Sequence, residues 1–278
     1  MSAALQEKLK STEVSPFIGS RVHLSKDDLL SGEFANDLRE LLEQRGVLIF
    51  PEINFNDDEQ VRFTKTLGEL APERAGELIY KVTLDTKVNS QADYLKGSLY
   101  WHPDGTMNEV PILASILTAK ALAPVGGDTD FCNTYAAWEN LPEEDKQLLE
   151  GLQAEHSAWN SLFYYDPEPS LEHAKQMMSI GEQVLPMVWK HSSGRKSLVL
   201  GCTARHVLGM GSRESAELLV RMREWATQPK FSYRHKWTLG DCVIWDNTGT
   251  MHRATPYDPN SGRMMIRTKL QGEEPFSS

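Results

Sequence analysis

Cysteine is scarce in this chain: Cys132, Cys202 and Cys242 are the three found in 278 residues. They form no CxxC pair, and an odd, scattered set closes no disulfide framework. A reducing, cytoplasmic setting is the expectation that follows. Long apolar runs are missing as well. None approaches the ~18 residues of a membrane helix, and the opening MSAALQEKLKSTEV has no apolar stretch of the kind a signal peptide carries. Positive charge is in deficit, with 29 Lys and Arg against 39 Asp and Glu and a formal net charge of -10. Such a surface repels nucleic-acid phosphates and anionic lipid, so neither nucleic acid nor membrane is expected as a partner. There is no internal repeat, low-complexity tract or linker-like stretch, and residues 1–278 read as a single domain.

What the chain does have is enough apolar residue, 40% with seven Trp, to bury a core without disulfides. Residues 31–46 place Phe34, Leu38, Leu41 and Leu42 on one helical face, with Ser31 as a cap and Gly46 as a stop. GVLIF (46–50) reads as a strand closed by Pro51, and 56–70 as a helix with acids at its start, where they suit the helix dipole. Strands are expected at 77–88 and 112–122, and helices at 142–157 and at 212–228, the latter capped by Ser212. The end is β: 230–237, 241–247, 250–257 and 263–270, separated by the turns TLGD, NTGT and DPNSG. Strands spaced as antiparallel meanders, with helices gathered early and in inserts, predict a mainly β sandwich or jelly roll with flanking helices.

WHPDGTM (101–107) carries the chemistry of interest. In an extended strand His102 and Asp104, at i and i+2, face one side. Pro103 favours extension but cannot donate to a ladder, which puts the pair at a strand edge or end. On spacing alone, a turn in which Asp104 bonds the backbone near Gly105 is the favoured explanation. Context sets most other histidines aside. His23 and His173 lie in polar segments, His191 in a KHSSGR turn and His206 in a polar ARH stretch. His235 alternates with Tyr233 and Trp237 as a sheet histidine would. His156 falls at the end of an expected helix, where a cation suits the dipole. His252 remains, in a late strand followed by two arginines on the next strand. Two histidines and one carboxylate make the facial ligand set of non-haem Fe(II) oxygenases.

With WHPDGTM stand PVGGDTDFCNTYAAWENLP, LEGLQAEHSAWNS, HSSGRKSL, QPKFSYRHKWTLGDCVIWDNTGTMHRATPYD and GRMMIRTKL, in that order from about residue 35 onward. Together these stretches resemble the TauD/TfdA family of Fe(II)/2-oxoglutarate-dependent dioxygenases. The resemblance implies a double-stranded β-helix (a cupin-like jelly roll) and Fe(II), 2-oxoglutarate and O2 as cofactor and cosubstrates. It implies that His102, Asp104 and His252 bind iron. Thr129 would hydrogen-bond the distal carboxylate of 2-oxoglutarate, and Arg263 would pair with it. Arg267 matches the arginine that in relatives meets the acidic group of the primary substrate.

The residues themselves agree with this. Arg263, Met265, Arg267 and Lys269 share one strand face, with Arg263 and Arg267 about 13 Å apart along it, a separation suited to two different anions. Gly126 and Gly127 would shape the turn presenting Thr129, while Trp245 and Asp246 would support the core. Two positions depart from the family pattern. Pro103 replaces a small polar residue, and Ser98, counted with the substrate positions, stands where the taurine-binding member has an asparagine, which argues against taurine. The expected activity is oxidation of a C–H bond of a small organic acid, by hydroxylation or ether cleavage, giving succinate and CO2, in a homo-oligomer. Halogenation is disfavoured, because Asp104 holds the position chloride would need. Two alternatives remain: a biosynthetic oxygenase acting on an amino acid or natural-product intermediate, and a non-catalytic jelly roll that binds metal or a small acid.

Overall fold

The structure, a computed structural model, describes residues 3–73 and 76–277. Its strands in chain order are β1 (Ser11–Glu13), β2 (Ser20–Val22), β3 (Val47–Phe50), β4 (Leu70–Ala71), β5 (Tyr80–Val82), β6 (Ala114–Ala121), β7 (Thr129–Asn133) and β8 (Gln153–Ser157). There follow β9 (Glu182–Pro186), β10 (Val188–Lys190), β11 (Lys196–Leu198), β12 (Ala204–Val207), β13 (Ser232–His235), β14 (Cys242–Asp246), β15 (Thr250–Ala254) and β16 (Met264–Leu270). The large sheet runs β1-β2-β3-β14-β6-β16-β4, with β5 also on β16; a small sheet runs β13-β7-β15. This is the expected mainly β fold with flanking helices, a cupin-like double-stranded β-helix.

Period-2 alternation explains how the layers assemble. In β3, Leu48 and Phe50 pack outward with Leu41 and Phe63 of the N-terminal helices, while Val47 and Ile49 point inward. β14 divides the same way, Cys242 and Ile244 outward, Val243 and Trp245 inward. The inner layer closes on Phe131 of β7, whose ring lies 5.5 Å from that of Trp245. Because both faces of these strands are covered, they read as continuous apolar runs. On the far side of the small sheet, Cys132 and Met251 pack with Leu218 and Met222 of the helix Ser212–Ala226.

Several local expectations are corrected. Residues 31–46 are not one helix. Ser31 ends a short helix, Lys26–Ser31, capped by a Ser25–Asp28 capping box, and Gly32 at φ 78 breaks the chain before Ala35–Arg45 begins. The Ser31 hydroxyl donates back to the Asp28 carbonyl at 2.7 Å and caps nothing downstream. The helix expected at 142–157 stops at Leu149, and Gln153–Ser157 is instead the middle strand of a three-stranded sheet, β12-β8-β9. His156 therefore does not sit at a helix end. It is fully buried, burial holds its pKa down at about 4, and Nδ1 meets the Thr203 hydroxyl at 2.9 Å. Of 77–88 only Tyr80–Val82 is strand. Gly211, not Ser212, occupies the cap position of the last long helix. The helix at Asp57–Leu67 begins as expected, its Asn56 cap closed by Glu59. Among the described residues no helix is long and apolar enough to cross a membrane.

Candidate active site

The space between the two sheets holds a cavity of about 490 Å³. The candidate ligand, cosubstrate and substrate residues line it: Ser98, His102, Asp104, Thr129, His252, Arg263 and Arg267.

His102 lies in extended backbone and Asp104 begins a turn at Gly105, but the Asp104 carboxylate accepts from the Ser115 hydroxyl and not from the backbone of that turn. His102 and His252 form an antiparallel bridge, each N–H donating to the other's carbonyl, at 3.0 and 2.8 Å. The His102 Nδ1 lies 2.7 Å from the Tyr100 carbonyl. A carbonyl can only accept, so Nδ1 carries the hydrogen and Nε2 presents its lone pair. That Nε2 lies 3.8 Å from Asp104 Oδ1, and His252 Nε2 lies 3.9 Å from Asp104 Oδ2. One donor atom from each of the three residues falls within 4.8 Å of the others.

Electrostatics keep His252 and Asp104 in ligand form. Burial, reinforced by His102, drives the pKa of His252 down to about 3, so its imidazole is neutral at pH 7. Burial would push the Asp104 carboxyl up, but His252, Arg267, His102 and a 2.8 Å bond from the Ser115 hydroxyl hold it below the usual carboxylate range. An anionic carboxylate, the neutral His252 imidazole and the His102 Nε2 converge with no hydrogen bond between them. That arrangement fits a divalent cation.

Asn247 and Ser115, which the sequence did not reveal, join Trp245 in holding this set in place. Trp245 donates from Nε1 to Asn247 at 2.9 Å, Asn247 donates to the Ser115 hydroxyl at 3.0 Å, and Ser115 donates to Asp104. Ser115 lies outside every quoted motif; its inward phase in β6, shared with Leu117, was the available signal. Trp245 does line the cavity, as a supporting residue, whereas Asp246 faces away. Burial raises its carboxyl to about 6, and it accepts from the Thr248 hydroxyl at 2.6 Å.

Further along the cavity Arg263 is 3% exposed. Its Nη2 donates to the Gly127 carbonyl at 2.9 Å, its guanidinium lies 4.6 Å from the centre of the Tyr257 ring, and its Nε is buried without a partner. Among the described residues no carboxylate forms an ion pair with it. A cation so buried calls for an anion that the described protein does not supply. Gly127 permits this arrangement, because a Cβ there would lie 2.7 Å from Arg263 Nε and its φ of 77 strains any other residue. The Thr129 hydroxyl accepts from Trp237 Nε1 at 3.0 Å, leaving its own hydrogen free to donate into the cavity. Arg267, in β16, pairs through Nε and Nη2 with both oxygens of Glu73, at 2.9 Å each. The Ser98 hydroxyl is turned to the Leu95 carbonyl at 2.6 Å.

Two imidazoles and a carboxylate at one point, with a buried cation beyond them that has no carboxylate partner among the described residues, are a donor set that fits a mononuclear 2-His-1-carboxylate centre with room for an anion. Residues 7–269 match the family model for taurine catabolism dioxygenase TauD, TfdA family, and the chain belongs to that family. It is 35% identical over 275 residues to the alpha-ketoglutarate-dependent 2,4-dichlorophenoxyacetate dioxygenase of Burkholderia sp. (strain RASC), covering 92% of each chain. It is 30% identical over 247 residues to an alpha-ketoglutarate-dependent sulfate ester dioxygenase of Pseudomonas putida, covering 84% of this chain and 79% of that one. The crystal structure of AAD-2 in complex with Mn(II) and N-oxalylglycine superposes with a TM-score of 0.82 at 30% identity, covering 96% and 98% of the two chains. The chain is a non-haem Fe(II)/2-oxoglutarate-dependent dioxygenase.

Proposed function

We propose that this dioxygenase oxidises a C–H bond of a small organic anion, with 2-oxoglutarate and O2 consumed and succinate and CO2 released. One oxygen atom enters the substrate as a hydroxyl and the other enters succinate. Where the hydroxylated carbon bears an ether or ester oxygen, the product collapses to cleavage. The observation that carries this reading is that two arginines, Arg267 in β16 and Arg263 immediately before it, face the same cavity as the His–Asp–His set. Relatives whose names specify a phenoxyacetate and a sulfate ester as substrate support an anionic head group.

In this reading His102, Asp104 and His252 hold Fe(II). The bound metal supplies activation of O2, which no side chain can do. The protein's part is binding and orientation. Tyr100 fixes the His102 tautomer, and the Ser115–Asn247–Trp245 chain fixes the carboxylate. Arg263 and the Thr129 hydroxyl receive the distal carboxylate of 2-oxoglutarate. Arg267 receives the substrate anion, and Leu117, Trp245 and Val82 line the cavity with apolar surface that keeps water out. We further take the chain to act as one domain, in the cytoplasm, as a homo-oligomer. The three free, buried cysteines and exposed apolar side chains such as Leu171 and Val184 support this. A monomer mass by light scattering would contradict the last point.

A panel of phenoxyalkanoates, alkyl sulfates, sulfonates and amino acids, scored by substrate-dependent succinate release, tests the substrate class. Stimulation by anions lacking an amino group supports it. Stimulation confined to neutral or cationic compounds would contradict it.

A further inference from the structure

Glu73 is a carboxylate inside the substrate end of the cavity, and no motif pointed to it. Its side chain is 4% exposed. It takes the side-on edge of Arg267, Nε and Nη2, and its Oε2 also lies 3.0 Å from Lys269 Nζ. Arg267 and Lys269 are themselves only 20% and 11% exposed. The face of Arg267 lies against Tyr80, its partner in the β5–β16 register, with the guanidinium carbon 5.1 Å from the ring centre. One edge and one face of the guanidinium are thus fixed. Nη1 takes no hydrogen bond among the described residues, so the end-on fork, Nη1 with the second hydrogen of Nη2, is the part still free to bind a ligand.

The charges in this cluster are two positive and one negative. A buried group of this kind is stable when its charges balance, and a second anion of one charge completes the balance. An anion of two charges would leave one negative charge uncompensated, in an apolar-walled cavity that also holds the Asp104 carboxylate.

We propose that Glu73 is the specificity-determining residue of the substrate site: it orients Arg267 so that only its end-on fork receives the substrate, and it cancels one of two cations so that the site accepts a singly charged head group, a carboxylate, sulfonate or sulfate monoester, in preference to a doubly charged one. This rests on the reading that Arg267 receives the substrate anion. It goes further by naming the charge of that anion and the residue that sets it.

Phenyl sulfate and phenyl phosphate make the test. They are nearly the same shape, but at pH 8 the sulfate carries one charge and the phosphate, whose second pKa is about 6, carries two. Calorimetric titration of each into the protein loaded with Fe(II) and 2-oxoglutarate under nitrogen reads binding without turnover. Wild type should bind the sulfate more tightly. Glu73→Gln adds one positive charge to the cluster, which a dianion gains from twice over, so the affinity ratio should move toward phosphate by about tenfold or more. Lys269→Met should move it the opposite way. A purely structural role would change both esters alike, leaving the ratio fixed in the two variants, and that result overturns the proposal. Tighter wild-type binding of phosphate, or no binding of either ester, overturns it too. Iron-dependent succinate release is measured on the same preparations. Its absence would contradict the oxygenase reading, while the ester ratio would still decide the role of Glu73.

Discussion

His102 and His252 are joined through their backbones: each donates its N–H to the other's carbonyl, and the two imidazole centres lie 4.2 Å apart. The pairing of an edge segment with β15 therefore positions two candidate ligands at once. Neither side chain is needed to form the bridge, so the ligand geometry is set by main-chain hydrogen bonds that survive side-chain replacement.

The support of Asp104 predicts the behaviour of a residue that touches no ligand. Ser115→Ala removes the hydroxyl that donates to the carboxylate and leaves Asn247 without its acceptor. Fe(II) affinity should fall by about 10–100-fold, the usual cost of losing a group that orients a ligand. Anaerobic Fe(II) titration reads this directly, and unchanged affinity would show that Asp104 is held by packing alone.

Arg263→Lys keeps the charge but loses the planar fork that fits a carboxylate. KM for 2-oxoglutarate should rise by about tenfold or more, a loss of roughly 1.5–3 kcal/mol for a charge-assisted hydrogen bond. If KM stays at the wild-type value, another cation holds that carboxylate.

Arg267→Ala should loosen the primary substrate without touching the cosubstrate. Displacement of a reacting carbon by ~1 Å can cost ~100-fold in rate. Consumption of 2-oxoglutarate should continue while product formed per succinate drops. A ratio and substrate KM equal to wild type would reduce Arg267 to a structural partner of Glu73.

His156 gives a pH prediction outside the site. Its folded pKa of about 4 lies below the ordinary histidine value of 6.5 because the ring is buried, so the native state refuses a proton that the unfolded chain accepts. The stability due to the neutral ring is full above pH 6.5 and is lost as pH falls toward 4, amounting to about 3 kcal/mol at most. His156→Gln removes the titration, so denaturant unfolding should show a flatter acid-side decline between pH 6.5 and 4. An unaltered slope would mean that other groups govern acid stability.

Much of the site could be read in the sequence because it obeys strand geometry. His102 and Asp104 converge through an i, i+2 relation, and Arg267 and Lys269 line one cavity because alternate residues of one strand face one side, with Arg263 reaching it from just before that strand. The late strands were legible for the same reason. What escaped was set by tertiary contact. Residues 153–157 carry a helix-compatible pattern but are drawn into a sheet by partners at 182–186 and 204–207. His156 was misplaced along with them. Glu73 reaches the site from a segment with no local signature, and Ser115 carries only its strand phase, so only the folded chain brings each beside its partner.

The most direct test of the central claim is succinate release from 2-oxoglutarate by purified protein with and without Fe(II), for wild type and His252→Ala. Wild type should release succinate only with Fe(II). The variant, still folded by circular dichroism, should lose at least about 100-fold, as expected when one of three metal ligands is removed. Turnover that is independent of Fe(II), or a folded variant as active as wild type, would contradict an iron centre built on His102, Asp104 and His252.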